Sequence, residues 1–173
     1  MSVCVNIKHM KIFYYIVILL LAFFSTLLDT SFFSFLEIYY ATILISLGIL
    51  ISLPMLEIKK GTIIYATLLI LFFTIFSSLQ IWFLFLIFIL IPLIVFYLNR
   101  RFAFEHSKIL IILVFLLCNF LFQFSLAAVS RDFSTQAFIS VISFTTVNTI
   151  VGVLIFYVLK TAKKFISPFL DRL

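Results

Sequence analysis

The chain has 173 residues, 66% of them hydrophobic and 10% charged, and a mean hydropathy of +1.39. A soluble domain carries about 25% charge, so this composition excludes a water-solvated globule and makes lipid the solvent. The formal charge of +6 does not point to nucleic acid, because the basic residues stand at the ends of apolar runs rather than on one patch; their electrostatic partner is the anionic cytoplasmic leaflet.

Charge-free runs define the spans in chain order. The first is Ile12–Leu28, between Lys11 and Asp29. Lys8 and Lys11 ahead of it resemble the n-region of a signal peptide. The run exceeds the roughly 7–15 residues of an h-region and no A-x-A-like site follows, so it is read as a retained helix. The second span is 38–56, between Glu37 and Glu57, with Asp29 and Glu37 both placed at the outer interface in solvent. Next, Gly61–Asn99 holds no charge over 39 residues. At about 1.5 Å per residue it would make a helix of about 58 Å, against a hydrocarbon core of about 30 Å. It must therefore be two helices, 61–78 and 80–98, parted at Ser77-Ser78-Leu79-Gln80. Pro92 removes a backbone donor inside the fourth span and is expected to kink it. Spans five and six are 109–130 and 135–159.

The expected fold is an all-α polytopic membrane domain of six helices covering 1–173. If the first loop is inside, Lys8, Lys11, Lys59, Lys60, Arg100, Arg101, Lys108, Lys160, Lys163, Lys164 and Arg172 all fall inside, and of the 12 basic residues only Arg131 falls outside. Short loops biased this way put both termini in the cytoplasm. The tail 160–173 sets Lys160, Lys163 and Lys164 among Phe165, Ile166, Phe169 and Leu170. It is expected to prolong the last span and bend at Pro168 onto the inner surface, where its lysines meet anionic lipid. A partner-binding tail is the alternative. Cys4 and Cys118 fall at different depths, which argues against a disulfide.

Three glycines, Gly48, Gly61 and Gly152, cannot form a phosphate-cradling loop. There is no H-E-x-x-H and no C-x-x-C, and His9 and His106 fall in inner loops, with Glu105-His106 read as a solvated pair. Protease, kinase and metal-assisted readings thus lack their nucleophile, base or ligands. No enzymatic activity, cofactor or metal is expected. No ionisable residue is placed at mid-membrane, which counts against a proton-coupled pump. What remains is a set of uncharged polar residues at membrane depth. Asn119, Gln123 and Ala127 share one helical face; Thr145 and Thr149 share another, as do Asn148 and Gly152. Small residues let helices approach and amides bond across them for about 0.6–2 kcal/mol each. These are expected to join the fifth and sixth helices, with a ligand site or partner-docking face as the alternative.

Several stretches follow one another in a suggestive order: Leu27-Leu28-Asp29-Thr30-Ser31-Phe32 leaving the first span, the Lys59-Lys60-Gly61 loop, a tight two-span hairpin, Asn99-Arg100-Arg101, and Thr146-Val147-Asn148-Thr149 running into Lys163-Lys164. This order resembles the rod-shape-determining MreD family of bacterial inner-membrane proteins over most of the chain. The chain departs from the family where Tyr39-Tyr40-Ala41 replaces a Pro-Asp pair and Ser77-Ser78 stand where an acid is usual. The resemblance implies a non-enzymatic component of the cell-elongation complex in the cytoplasmic membrane. It implies association with an MreC-like protein and, through it, with an MreB-like filament and the peptidoglycan synthases. Asn148, Thr149 and Gly152 would then lie in the helix-packing surface. A six-span substrate-binding subunit of a vitamin importer shares the size and span count. A lipid-modifying enzyme would have to rest on Glu105, His106 and Arg100.

Overall fold

A computed structural model describes residues 2–32, 41–77, 80–102, 107–131 and 134–170; the side chains of 2–11, Phe32 and 165–170 lie outside that description. The described residues are helical throughout, apart from caps, turns and one short extended stretch: α1 (Ser2–Leu27), continued by a π-helical turn (Leu28–Phe32), α2 (Ile45–Met55), α3 (Lys59–Phe76), α4 (Ile81–Phe102), α5 (Lys108–Ser130) and α6 (Thr135–Leu170).

Five segments are long and apolar enough to cross a membrane: Ile12–Ser31, Lys59–Phe76, Ile81–Phe102, Lys108–Ser130 and Thr135–Lys164. These correspond to the expected first, third, fourth, fifth and sixth spans. The second does not take the expected form. Residues 38–40 of the expected span lie outside the described residues; from 41 to 44 the chain is not helical, Leu44 is extended, and the helix begins at Ile45. Eleven residues at about 1.5 Å each give about 16 Å, half of a core about 30 Å thick. An apolar run of that length satisfies a hydropathy count whether its backbone is helical or not, and here the backbone groups at its start are satisfied by other means.

α2 is buried from Ser46 through Met55. It packs against α6, α4, α3, α1 and α5, so the long helices surround it. A helix apolar on every side belongs in an interior. The surrounding helices turn Phe13, Leu71, Phe85, Leu93, Ile109, Phe138 and Leu154 outward, as lipid-facing surface requires. A Cβ on Gly61 would lie 2.5 Å from the Tyr14 hydroxyl, which fixes the start of α3 beside the early turns of α1. Phe23 meets Phe72 and Phe76 at the other end of α3, with ring centroids 5.5 and 6.3 Å away. α1 and α3 therefore run parallel.

The loops use ordinary terminus chemistry. α3 stops where Ser77 turns extended. Ser107 accepts from the Leu110 N–H to cap α5, Arg131 closes that helix in the left-handed region at φ 54°, and Ser134 accepts from the Ala137 N–H to begin α6. Pro54 sits in the last turn of α2. Pro92 lies inside α4. α6 continues as helix through Pro168 to Leu170, prolonging the last span.

Candidate functional site: the ends of the central half-helix

A helix start leaves its first N–H groups without intrahelical partners. Water usually takes them, but the start of α2 is buried. Its own N-cap residue, Leu44, has no side-chain acceptor to offer. Other helices supply the oxygens. Asp29 Oδ1 accepts from the Ile45 N–H at 2.7 Å and Oδ2 from the Ser46 N–H at 3.0 Å. Asn148 Oδ1, from α6, accepts from the Leu44 N–H at 2.7 Å. Asn148 Nδ2 donates to the Thr42 carbonyl at 2.8 Å and to the Phe144 carbonyl at 3.1 Å. One carboxylate and one amide thus hold both the start of α2 and the extended stretch before it.

Asp29 reaches this position from the π-helical turn that follows α1. Wider turns of this kind recur at functional sites. The turn before it is polar as well. Thr26 Oγ1 donates to the Ala22 carbonyl at 2.8 Å, and Ser25 Oγ donates to the same carbonyl at 3.1 Å. From α3, the Tyr65 hydroxyl lies 2.8 Å from Ser25 Oγ and 3.4 Å from the Ser46 carbonyl oxygen. Asp29 is 5% exposed and Tyr65 is fully enclosed. Ser46 is 1% exposed.

The opposite end of α2 is tied by cations and amides. Lys163 Nζ, from α6, donates to the Leu56 carbonyl at 2.6 Å, and Asn99 Nδ2, from α4, donates to the Pro54 carbonyl at 3.3 Å. The chain then turns at Glu57, with φ 60°, into Lys59 and Lys60. α2 therefore has a carboxyl at its positive end and an ammonium at its negative end, the arrangement a helix dipole favours.

This geometry corrects one expectation. Asp29 is not solvated: two residues before the end of the apolar segment Ile12–Ser31, it is 5% exposed and its carboxyl group turns into the bundle to meet the start of α2. A buried ionisable group in a membrane bundle is costly and marks a functional position.

The other predicted residues divide between two neighbours. Asn119 Nδ2 donates to Thr149 Oγ1 at 3.3 Å and Gln123 Nε2 to Ser140 Oγ at 3.3 Å, both joining α5 to α6. Thr145 is buried on the same side of α6 and its hydroxyl is unpaired. Asn148 faces α2 instead. Gly152 lies between α2 and α5: a Cβ on Gly48 would come 3.3 Å from the Gly152 Cα, and a Cβ on Gly152 would come 2.5 Å from the Phe115 ring. Lys160 Nζ stands 5.8 Å from the centroid of the Phe156 ring, and Lys164 has its own contacts. Cys118 is buried. Glu37, Glu105, His106, Arg172, the Ser78-Leu79 turn, and the side chains of Cys4, Lys8, His9, Lys11 and 165–170 lie outside the described residues.

Sequence reasoning missed Asp29, Ser25, Tyr65 and Asn99 as members of the site. A signal existed for two of them, since Ser25 and Asp29 lie four apart on one helical face. Comparison with protein-family models, with curated proteins and with solved structures finds no match for the chain.

Proposed function

We propose that this protein is a non-enzymatic scaffold of the MreD type in the bacterial cytoplasmic membrane, with both termini cytoplasmic. It binds an MreC-like partner and, through that protein, serves an MreB-like filament and the peptidoglycan synthases of lateral wall growth. The observation that carries this reading is the double anchoring of α2. Asp29 and Asn148 hold one end and Asn99 and Lys163 the other. The polar side chains of Asp29, Asn99, Asn119 and Asn148 are engaged in fixing the bundle, and the outward surface is rich in apolar side chains. A locked body with a lipid-facing exterior suits docking of other membrane proteins. The basic ends of α4 and α6 and the Lys59-Lys60 turn support the cytoplasmic assignment of that end of the bundle.

A C-terminally tagged chain, expressed in its own host and gently solubilised, tests the proposal by mass spectrometry of co-purifying proteins. Recovery of an MreC-like protein or of peptidoglycan synthases is the expected result. Recovery of ATP-hydrolysing subunits with a small coupling membrane protein instead would overturn it.

One observation favours the importer reading: α2 begins inside the bundle, and transporters use the buried N-termini of discontinuous helices at substrate sites. Specific thermal stabilisation of the purified chain by a single vitamin would mark that function.

A further inference from the structure

A groove of about 560 Å³ opens between α3 and α4 on the outer surface of the bundle. Its walls are made by what these helices lack. α3 contributes Thr62, Ala66 and Thr67. Thr62 donates to the Ile58 carbonyl at 2.8 Å and Thr67 to the Ile63 carbonyl at 2.9 Å. Both hydroxyls are thus engaged by their own helix, and carbon is left to line the groove. α4 contributes Pro92, which has no N–H to give the Phe88 carbonyl. Away from Lys59 and Arg100 the lining is carbon, from Ile63, Ala66, Ile89, the Pro92 ring, Leu93 and Phe96.

Its mouth is different. Lys59, at the start of α3, and Arg100, near the end of α4, both line it and both are exposed. Tyr97 stands beside them, 63% exposed, at the level where aromatic belts meet headgroups. Among the described residues, no acidic side chain lines the groove. Its length also has a scale. Lys59 to Thr67 is eight residues, about 12 Å of α3, and Arg100 to Phe88 is twelve, about 18 Å of α4. Those lengths bracket the roughly 15 Å that one leaflet contributes to a core about 30 Å thick.

We propose that this groove binds one anionic phospholipid of the leaflet at the basic end of the bundle. An acyl chain lies along Ala66 and Pro92, and the phosphate sits between Lys59 and Arg100. The guanidinium presents a planar fork to phosphate oxygens and the ammonium adds a point charge. Charge selects this occupant over a neighbouring transmembrane helix, which would have to bring its own anions to the same depth. The site requires only that the bundle sits in a membrane, so it holds under either functional reading above.

The full chain in mild detergent is titrated with phosphatidylglycerol and, separately, phosphatidylcholine. Bound lipid is counted by native mass spectrometry and melting temperature is followed in parallel. The starting protein prefers phosphatidylglycerol. Lys59→Gln and Arg100→Gln each lower that affinity about fivefold, and about 25-fold together. The lipid-free melting temperature stays unchanged, because both residues are exposed; phosphatidylcholine, whose phosphate is already paired with its own choline cation, loses less affinity than phosphatidylglycerol, so the preference between the two lipids shrinks. Thr67→Trp, also at an exposed position, narrows the groove and reduces binding of both lipids. Lys108→Gln, at an exposed position outside the groove, removes equal charge elsewhere at the basic end and leaves affinity unaltered. The proposal fails if the starting protein does not distinguish the two lipids, or if Lys108→Gln costs as much as Lys59→Gln. It fails equally if Thr67→Trp dissociates a co-purifying protein or dimer while lipid binding persists.

Discussion

Replacing Asp29 by alanine removes two acceptors from the buried start of α2. The Ile45 and Ser46 N–H groups, now held at 2.7 and 3.0 Å, would have no oxygen to meet. Each buried group left unsatisfied costs about 1–3 kcal/mol, so the two together cost about 2–6 kcal/mol. Loss of the favourable dipole interaction adds about 0.3–2 kcal/mol. Against this stands the desolvation penalty of the carboxyl group, which the alanine variant no longer bears. The balance of these terms is separated by Asp29→Asn. Its carboxamide keeps one oxygen for one N–H, and its amino group faces the other. If the hydrogen bonds dominate, the asparagine variant retains about half the stability that alanine loses. If the charge dominates, the two variants lose the same amount. Reversible unfolding in mixed detergent micelles, followed by helical circular dichroism, measures both. An Asp29→Ala protein as stable as its parent would refute the cap as an energetic element, and the account of why α2 can begin inside the bundle would fall with it.

Asn148→Leu orphans the Leu44 N–H and the Thr42 carbonyl and should destabilise by about 2–6 kcal/mol; unchanged thermal stability in detergent together with unchanged recovery of partners would contradict both the cap and its role. Gly152→Ala places a methyl 2.5 Å from the Phe115 ring, an overpacking expected to cost about 1–3 kcal/mol, which a melt in the same detergent would register. For Asn119 and Thr149, joined at 3.3 Å, a double-mutant cycle with Asn119→Ala and Thr149→Val should yield a coupling of about 0.6 kcal/mol, and zero coupling would remove that bond from the α5–α6 contact.

The long helices were legible because each lies between charges: α3, α4 and α5 begin and end within a few residues of the boundaries that Lys59-Lys60, Ser77, Arg100-Arg101, Lys108 and Arg131 mark. The shared face of Asn148 and Gly152 was legible from spacing too. Which neighbour that face meets was not, since spacing fixes a direction on one cylinder and says nothing of the cylinder beside it. Asn148 turned out to hold α2, while Asn119 and Gln123 reach α6. The half-helix was hidden for a different reason. Hydropathy scores side chains one at a time, and the run 38–56 is apolar whether its first part is helical or extended. Only knowledge of where the peptide N–H groups find oxygen separates the two, and that oxygen comes from residue 29 and residue 148. Asp29 was misplaced by the same reasoning that located the spans, because a charge was taken to mark an end.

The anchoring of α2 has a consequence for biogenesis. Its Asp29 ligand is made before it emerges from the ribosome, but Asn148 follows Leu44 by 104 residues and Lys163 follows Leu56 by 107. During synthesis, the extended stretch before α2 reaches the bilayer with its amide partners still unmade, a state that hydrocarbon penalises. A chain completed only through α5 lacks the oxygen that the Leu44 N–H meets and the amide that the Thr42 carbonyl meets in the finished bundle. The last helix to be made thus supplies the bonds that close the first loop. Chains stalled before residue 148 should present an uncapped, extractable segment to membrane proteases, and finished chains should not.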